Sequence, residues 1–199
     1  MERSERVLLA QMGQARRRRW RRRSAQRETS AVIVPDVIVP DLQILFVGVN
    51  PGIRSGETHH HFAHPSSRLW TALHESGFTP QLVLAAQERA LLAYGLGLTN
   101  LVDRPTRAAD ELTADELRQG ARRLRRKACR YRPLWVAVLG VVAYRIAFDE
   151  PVARIGPQSR TLCSSRLWVL PGPTGRNAHY PLPQLIEEFR HLRGAVQRG

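Results

Sequence analysis

The residues best suited to chemistry fall in three short segments rich in glycine, proline and polar side chains. Gly48-Val49-Asn50-Pro51-Gly52 follows one apolar run, and Pro171-Gly172-Pro173-Thr174-Gly175-Arg176-Asn177 follows another. Proline stiffens the backbone and glycine lets a ligand come close to it, so both segments suit a rigid binding loop. Taken singly, each reads more simply as an ordinary tight turn; the combination is more specific. The third segment is His59-His60-His61-Phe62-Ala63-His64-Pro65. Its histidines suggest metal, but adjacent loop positions do not readily converge on one ion. No paired carboxylate or cysteine completes a ligand set, so the sequence predicts no metal and no cofactor. Phe62 offers other chemistry, because an aromatic ring on a strand-end loop stacks on a flat base; core packing is its alternative role.

These segments need elements to hold them. Residues 43–49 are a short apolar run ending in a turn, the pattern of a buried strand. Residues 66–76 carry Leu69, Trp70 and Leu73 at helical spacing, and residues 81–94 read as a second apolar helix. Thr113-Ala-Asp-Glu116 has capping-box spacing and opens a helix to about Arg130. The arginines on its outer face read as a solvated surface. Residues 135–140 form a second strand, 141–148 a helix, 166–170 a third strand and 183–196 a closing amphipathic helix. Strands separated by helices predict an α/β three-layer sandwich with a central, mainly parallel sheet. In such a sheet, ligands bind outside the carboxyl ends of the strands, where both glycine-rich loops lie.

Charge narrows the partner. The chain is 43% hydrophobic, enough for a core, and carries a formal net charge of +14. Half of that charge comes from residues 1–30, where ten arginines face three glutamates. Such excess basicity favours a polyanion, nucleic acid above all. Composition therefore divides the chain into a basic N-terminal arm over residues 1–38, expected to be disordered when free, and one domain over 39–199. The arm is equally a DNA tether or a plain solvated tail. No apolar run approaches the roughly 20 residues of a membrane span. Two cysteines and no apolar export signal suggest a cytoplasmic protein with reduced thiols, nucleoid-associated if bacterial.

Gly48–Gly52, Phe62-Ala63-His64-Pro65, Leu98-Thr99-Asn100-Leu101-Val102-Asp103-Arg104-Pro105-Thr106 and Trp168-Val169-Leu170-Pro171 occur in an order and spacing that identify a family. From about residue 42 to 193 the chain resembles the mismatch-specific uracil/thymine DNA glycosylase family, within the uracil-DNA glycosylase superfamily. The resemblance implies a protein, expected to be monomeric, that flips uracil out of mispaired double-stranded DNA into a pocket; the third loop makes single strands a further expected substrate. Extrusion is needed because the glycosidic bond is inaccessible within the stack. It implies that Asn50 positions the attacking water, that Phe62 stacks on uracil, that backbone around Val49 meets the base edge, and that Ser55 lies beside C5. An amide orients water but removes a proton poorly, which suits a bond whose cleavage passes through an oxocarbenium-like sugar. Asp103 is the carboxylate best placed in the motifs to assist; a salt bridge to Arg104 or a turn cap is its alternative. Lys127, the one lysine, sits on the basic helix away from every motif, so a Schiff-base lyase is not expected.

The third loop departs from the family pattern, which has Asn-Pro-Ser-Gly followed by a residue wedged into the duplex, often an apolar one. Here Gly172 and Thr174 replace the asparagine and serine, and Arg176 takes the wedge position. Gly175 and Asn177 remain able to contact the widowed guanine. An arginine fills a vacated stack with its planar guanidinium but discriminates the opposing base less, so broader substrate use is expected. Two competing readings are a non-catalytic nucleic-acid-binding protein on the same fold and a hydrolase of free nucleotides.

Overall fold

The computed structural model describes residues 33–175 and 177–198. Five strands form one sheet: β1 (Ile44–Gly48), β2 (Leu96–Asn100), β3 (Trp135–Leu139), β4 (Gly156–Leu162) and β5 (Ser165–Leu170). Their order is β2-β1-β3-β5-β4, parallel except for β4, which runs antiparallel along β5. The helices are α1 (Ile53–Thr58), α2 (Leu69–Glu75), α3 (Ala114–Tyr131), α4 (Val141–Phe148) and α5 (Leu182–Gln197). Ala85–Tyr94 forms a 3-10 helix before β2.

The strand sequences are apolar without alternation because both sheet faces are covered. Leu45, Val47, Val136, Val138, Leu167 and Val169 point into one core with Leu117, Leu124 and Ala128 of α3 and Tyr144 and Phe148 of α4. The intervening residues Ile44, Phe46, Ala137, Trp168 and Leu170 point into the other, with Leu69 and Leu73 of α2 and Leu185 and Phe189 of α5. This is the three-layer α/β sandwich that the sequence predicts. Phe46 stacks on Phe189 at 5.8 Å and meets the edge of Phe78 at 5.7 Å. Removing such a ring costs about 3–5 kcal/mol. Thr113 caps α3 as its spacing predicts: its hydroxyl accepts from Glu116 N–H, and the Glu116 carboxylate accepts from Thr113 N–H.

Several features differ from the sequence reading. β2 and β4 are additional strands. Gly97 interrupts the apolar pattern of β2, and its missing side chain has a packing cause. A Cβ there would lie 2.6 Å from the Val37 carbonyl oxygen and 2.5 Å from Leu42 Cδ1. The Val37 backbone instead pairs with Leu98 in both directions, at 2.9 and 2.8 Å. Val34 and Val37 are buried, so the folded body includes residues that composition assigns to the arm. The rest of that arm, residues 1–32, lies outside the described residues. β4 is an edge strand with mostly exposed polar side chains, which is why hydrophobic patterning misses it. The two cysteines are joined rather than reduced: Cys129 in the last turn of α3 bonds Cys163 in the β4–β5 turn, with Cα atoms 5.4 Å apart. The fold places these turns side by side despite a separation of 34 residues. No helix among the described residues is long and apolar enough to cross a membrane.

Candidate active site

Beyond the strands, the loops leaving β1 and β2 stay paired. Leu101 N–H donates to Gly48 O and Val102 N–H to Val49 O, both at 2.9 Å, and Thr106 N–H donates to Pro51 O at 3.1 Å. This continuation holds Asn50 against the second loop. Its Nδ2 donates to Thr106 Oγ1 at 2.7 Å, to Pro51 O at 3.0 Å and to Arg104 O at 3.1 Å. The amide orientation follows from its partners. Arg104 O and Pro51 O can only accept, and Thr106 Oγ1 spends its own hydrogen on Ala108 O at 2.7 Å. All three therefore require the nitrogen end of Asn50. Its carbonyl end has no donor among the described residues and is left to orient an external O–H or N–H.

Phe62 lies on the other side of Gly48. A Cβ on Gly48 would fall 3.0 Å from Phe62 Cζ and 2.4 Å from Asn100 Oδ1. Glycine is needed here because a ring and a carboxamide both close on the backbone. Phe62 adopts a left-handed φ of 50°, uncommon for an aromatic residue. Two bonds hold that conformation: Trp70 Nε1 donates to Phe62 O at 3.2 Å, and Ala63 N–H donates to Ser55 Oγ at 3.1 Å. Ser55 is 4% exposed, so it acts on the loop that carries Phe62.

The histidines diverge onto separate partners. His60 Nδ1 faces the buried Glu88 at 3.2 Å, and Glu88 also accepts from His61 N–H at 2.7 Å. His64 Nδ1 pairs with Ser66 Oγ at 2.7 Å. His61 lies in the core, 3.1 Å from Pro35 O through Nε2 and 3.3 Å from Asn100 Nδ2 through Nδ1. Burial pushes its pKa below the ordinary histidine value, while Glu88, the Pro35 carbonyl and Asp36 oppose that shift. Among the described residues, no group of three or more His, Cys, Asp or Glu side chains is placed to hold a metal ion.

Asp103 is half-exposed, and its carboxylate lies 3.9 Å from Arg123 Nε. The alternative bridge to Arg104 does not form, because the Arg104 guanidinium grips Glu116 at 2.9 and 3.1 Å. That hydrogen bond, followed by the Thr113 N–H, pulls the Glu116 carboxyl down to about 2. Arg104 thus faces away while its carbonyl anchors Asn50. Lys127 is nearer to the motifs than its helix position implies. Its ammonium donates at 2.8 Å to Oγ1 of Thr99, the residue before Asn100, and pairs with Asp36 at 2.6 Å.

The third loop is built through main chain. Arg68 donates from its guanidinium to the carbonyls of Thr174, Asn177 (3.2 Å) and Tyr180 (2.8 Å), and from its N–H to Pro173 O (2.8 Å). Asn177 Nδ2 closes the turn onto Gly172 O at 3.1 Å. A Cβ on Gly175 would lie 2.9 Å from Ser66 Cβ, so glycine lets this loop dock on the segment after Phe62. Arg176 lies outside the described residues. The fold thus gathers Asn50, Val49 and Phe62 around Gly48, and ties the third loop to them through residues 66–68. The roles of Arg68, Thr106, His61 and Asn100 carry no signal of their own in the sequence. Asn100 falls within the Leu98–Thr106 motif, but Gly97 conceals the strand that puts it at a strand end.

Fold and site together define an α/β protein with its polar site outside the carboxyl ends of parallel strands. The family model of the Uracil DNA glycosylase superfamily matches residues 35–194. The chain belongs to that superfamily, whose members are hydrolytic glycosylases acting on DNA. Membership carries DNA glycosylase activity on uracil.

Proposed function

We propose that this chain is a monofunctional glycosylase that flips uracil out of mispaired DNA, G:U pairs above all, and leaves an abasic site. The observation that carries this reading is the fixed amide of Asn50. With its nitrogen end committed to Arg104, Thr106 and Pro51, Oδ1 accepts a hydrogen from water and aims the water's lone pair at the sugar. The water oxygen bonds to C1′ as the bond from C1′ to uracil N1 breaks, and the electron pair leaves with the base. The water proton passes to solvent, and Asp103 supplies negative charge near the cationic sugar.

Phe62 stacks on the flipped base, backbone at Val49 meets its edge, and Ser55 holds the loop that carries the ring. Asn100 Oδ1, at the same glycine, accepts from the base N3–H. Gly172, Thr174, Gly175 and Asn177 form the duplex-facing turn that carries Arg176. An arginine there favours uracil in several contexts, single strands included. Lys127, bound to Asp36 and Thr99, is not offered as a Schiff-base amine.

The test is a panel of end-labelled oligonucleotides carrying G:U, A:U, G:T or single-stranded uracil, followed by alkaline cleavage. Wild type is expected to give product, with G:U included, and Asn50→Ala at least about 100-fold less. Salt-dependent binding without product on any substrate would instead identify a binding protein. A borohydride-trapped adduct would overturn the monofunctional assignment.

A further inference from the structure

We propose that His61 is a positioning residue whose Nδ1 lone pair holds the Asn100 carboxamide with Oδ1 turned toward the base. This inference rests on the uracil reading above, and it accounts for how one amide distinguishes an imide from an aminopyrimidine.

The tautomer is fixed from outside the site. His61 Nε2 lies 3.1 Å from Pro35 O, a group that only accepts, so Nε2 carries the hydrogen. A neutral imidazole has one N–H, and Nδ1 is therefore an acceptor. Its partner at 3.3 Å is Asn100 Nδ2, a donor, in a buried contact. Asn100 Oδ1 consequently faces Gly48 and Phe62, and no described residue donates to it. An acceptor at this point matches the N3–H of uracil and opposes the N3 lone pair of cytosine. Rotating the amide by half a turn would reverse that preference.

Burial keeps the ring neutral against the carboxylates around it. Glu88 from the 3-10 helix accepts its backbone N–H, and Asp36 of the leading segment is paired with Lys127 of α3. The neighbouring His60 is turned onto Glu88. Burial opposes the imidazolium more strongly than these carboxylates support it. Protonation at low pH would place a donor on Nδ1 against the Asn100 amide nitrogen and drive the amide to turn.

The experiment is single-turnover excision from G:U duplex by the full chain carrying His61→Leu or His61→Asn, each with Asn100 or Asn100→Ala. His61→Leu removes the acceptor and is expected to lower kcat/KM about tenfold. His61→Asn, whose Oδ1 occupies the place of Nδ1, recovers most of that loss and removes the acid limb of the wild-type pH profile. In the Asn100→Ala background, His61→Leu has less than a twofold further effect. An equal loss in both backgrounds would overturn the proposal, because His61 would then act by packing alone. The ring is also read independently of activity by nitrogen NMR. An unprotonated Nδ1 beside a protonated Nε2 is expected, and the opposite tautomer would overturn the inference. Absence of any excision by wild type, with the expected tautomer, would count against the uracil reading instead.

Discussion

The two halves of the site are held by different means. Around Gly48, each group has its own anchors: Thr106 and two carbonyls lock Asn50, Ser55 and Trp70 hold the backbone of the Phe62 loop, and His61 holds Asn100. Around Gly172–Asn177, one guanidinium from α2's N-terminal side gathers backbone carbonyls, and the Asn177 side chain is spent on closing the turn. The first half can present a small set of groups at fixed positions, as chemistry at one bond demands. The second specifies the shape of a backbone turn. A lost asparagine in the third loop is therefore expected to be tolerated, whereas loss of Asn50 in the first loop is not.

Substitutions should separate the halves. Gly48→Ala is expected to have the largest effect, about 100-fold on excision from every substrate, because its Cβ would collide with Asn100 Oδ1 and Phe62. A strain cost of about 1–3 kcal/mol, measured by denaturant unfolding, should accompany it. Equal activity in Gly48→Ala would mean that the ring and amide do not define the pocket. Arg68→Met should loosen only the third loop, lowering duplex excision about tenfold and leaving excision from single strands within about twofold. A uniform loss would merge the two halves. Arg176→Leu should shift the ratio of G:U to single-stranded excision several-fold toward G:U; an unchanged ratio would remove Arg176 from base discrimination.

The smallest effect is on stability. The pKa of His61 is depressed in the fold, so the unfolded chain binds more protons over the window below about 6.5. Its contribution is full above that value and is lost as pH falls through the folded pKa. His61→Leu should flatten this part of the stability profile, while a variant in the third loop should not.

The same contrast explains what could be read in advance. Buried strands β1, β3 and β5 were legible because both faces are covered, and Thr113–Glu116 announced its helix through local bonding. Asn50 and Phe62 were legible as motif residues, but their geometry was not. Gly97 hid β2, so Asn100 appeared as part of a string rather than as a strand-end side chain. His61 was masked by its neighbours, since a run of histidines suggests metal, whereas His61 meets the Asn100 amide. Arg68 carried no signal at all: its partners are carbonyls about a hundred residues away, and carbonyls have no sequence signature.

The central claim is that Asn50 acts on the bond-breaking step and not on DNA binding. It is tested most directly by measuring single-turnover excision for wild type and Asn50→Ala, alongside affinity for a G:U duplex carrying a non-cleavable 2′-fluoro uridine. The expected result is a rate at least about 100-fold lower with affinity within about twofold of wild type. A loss of affinity equal to the loss of rate, or an unchanged rate, would contradict it.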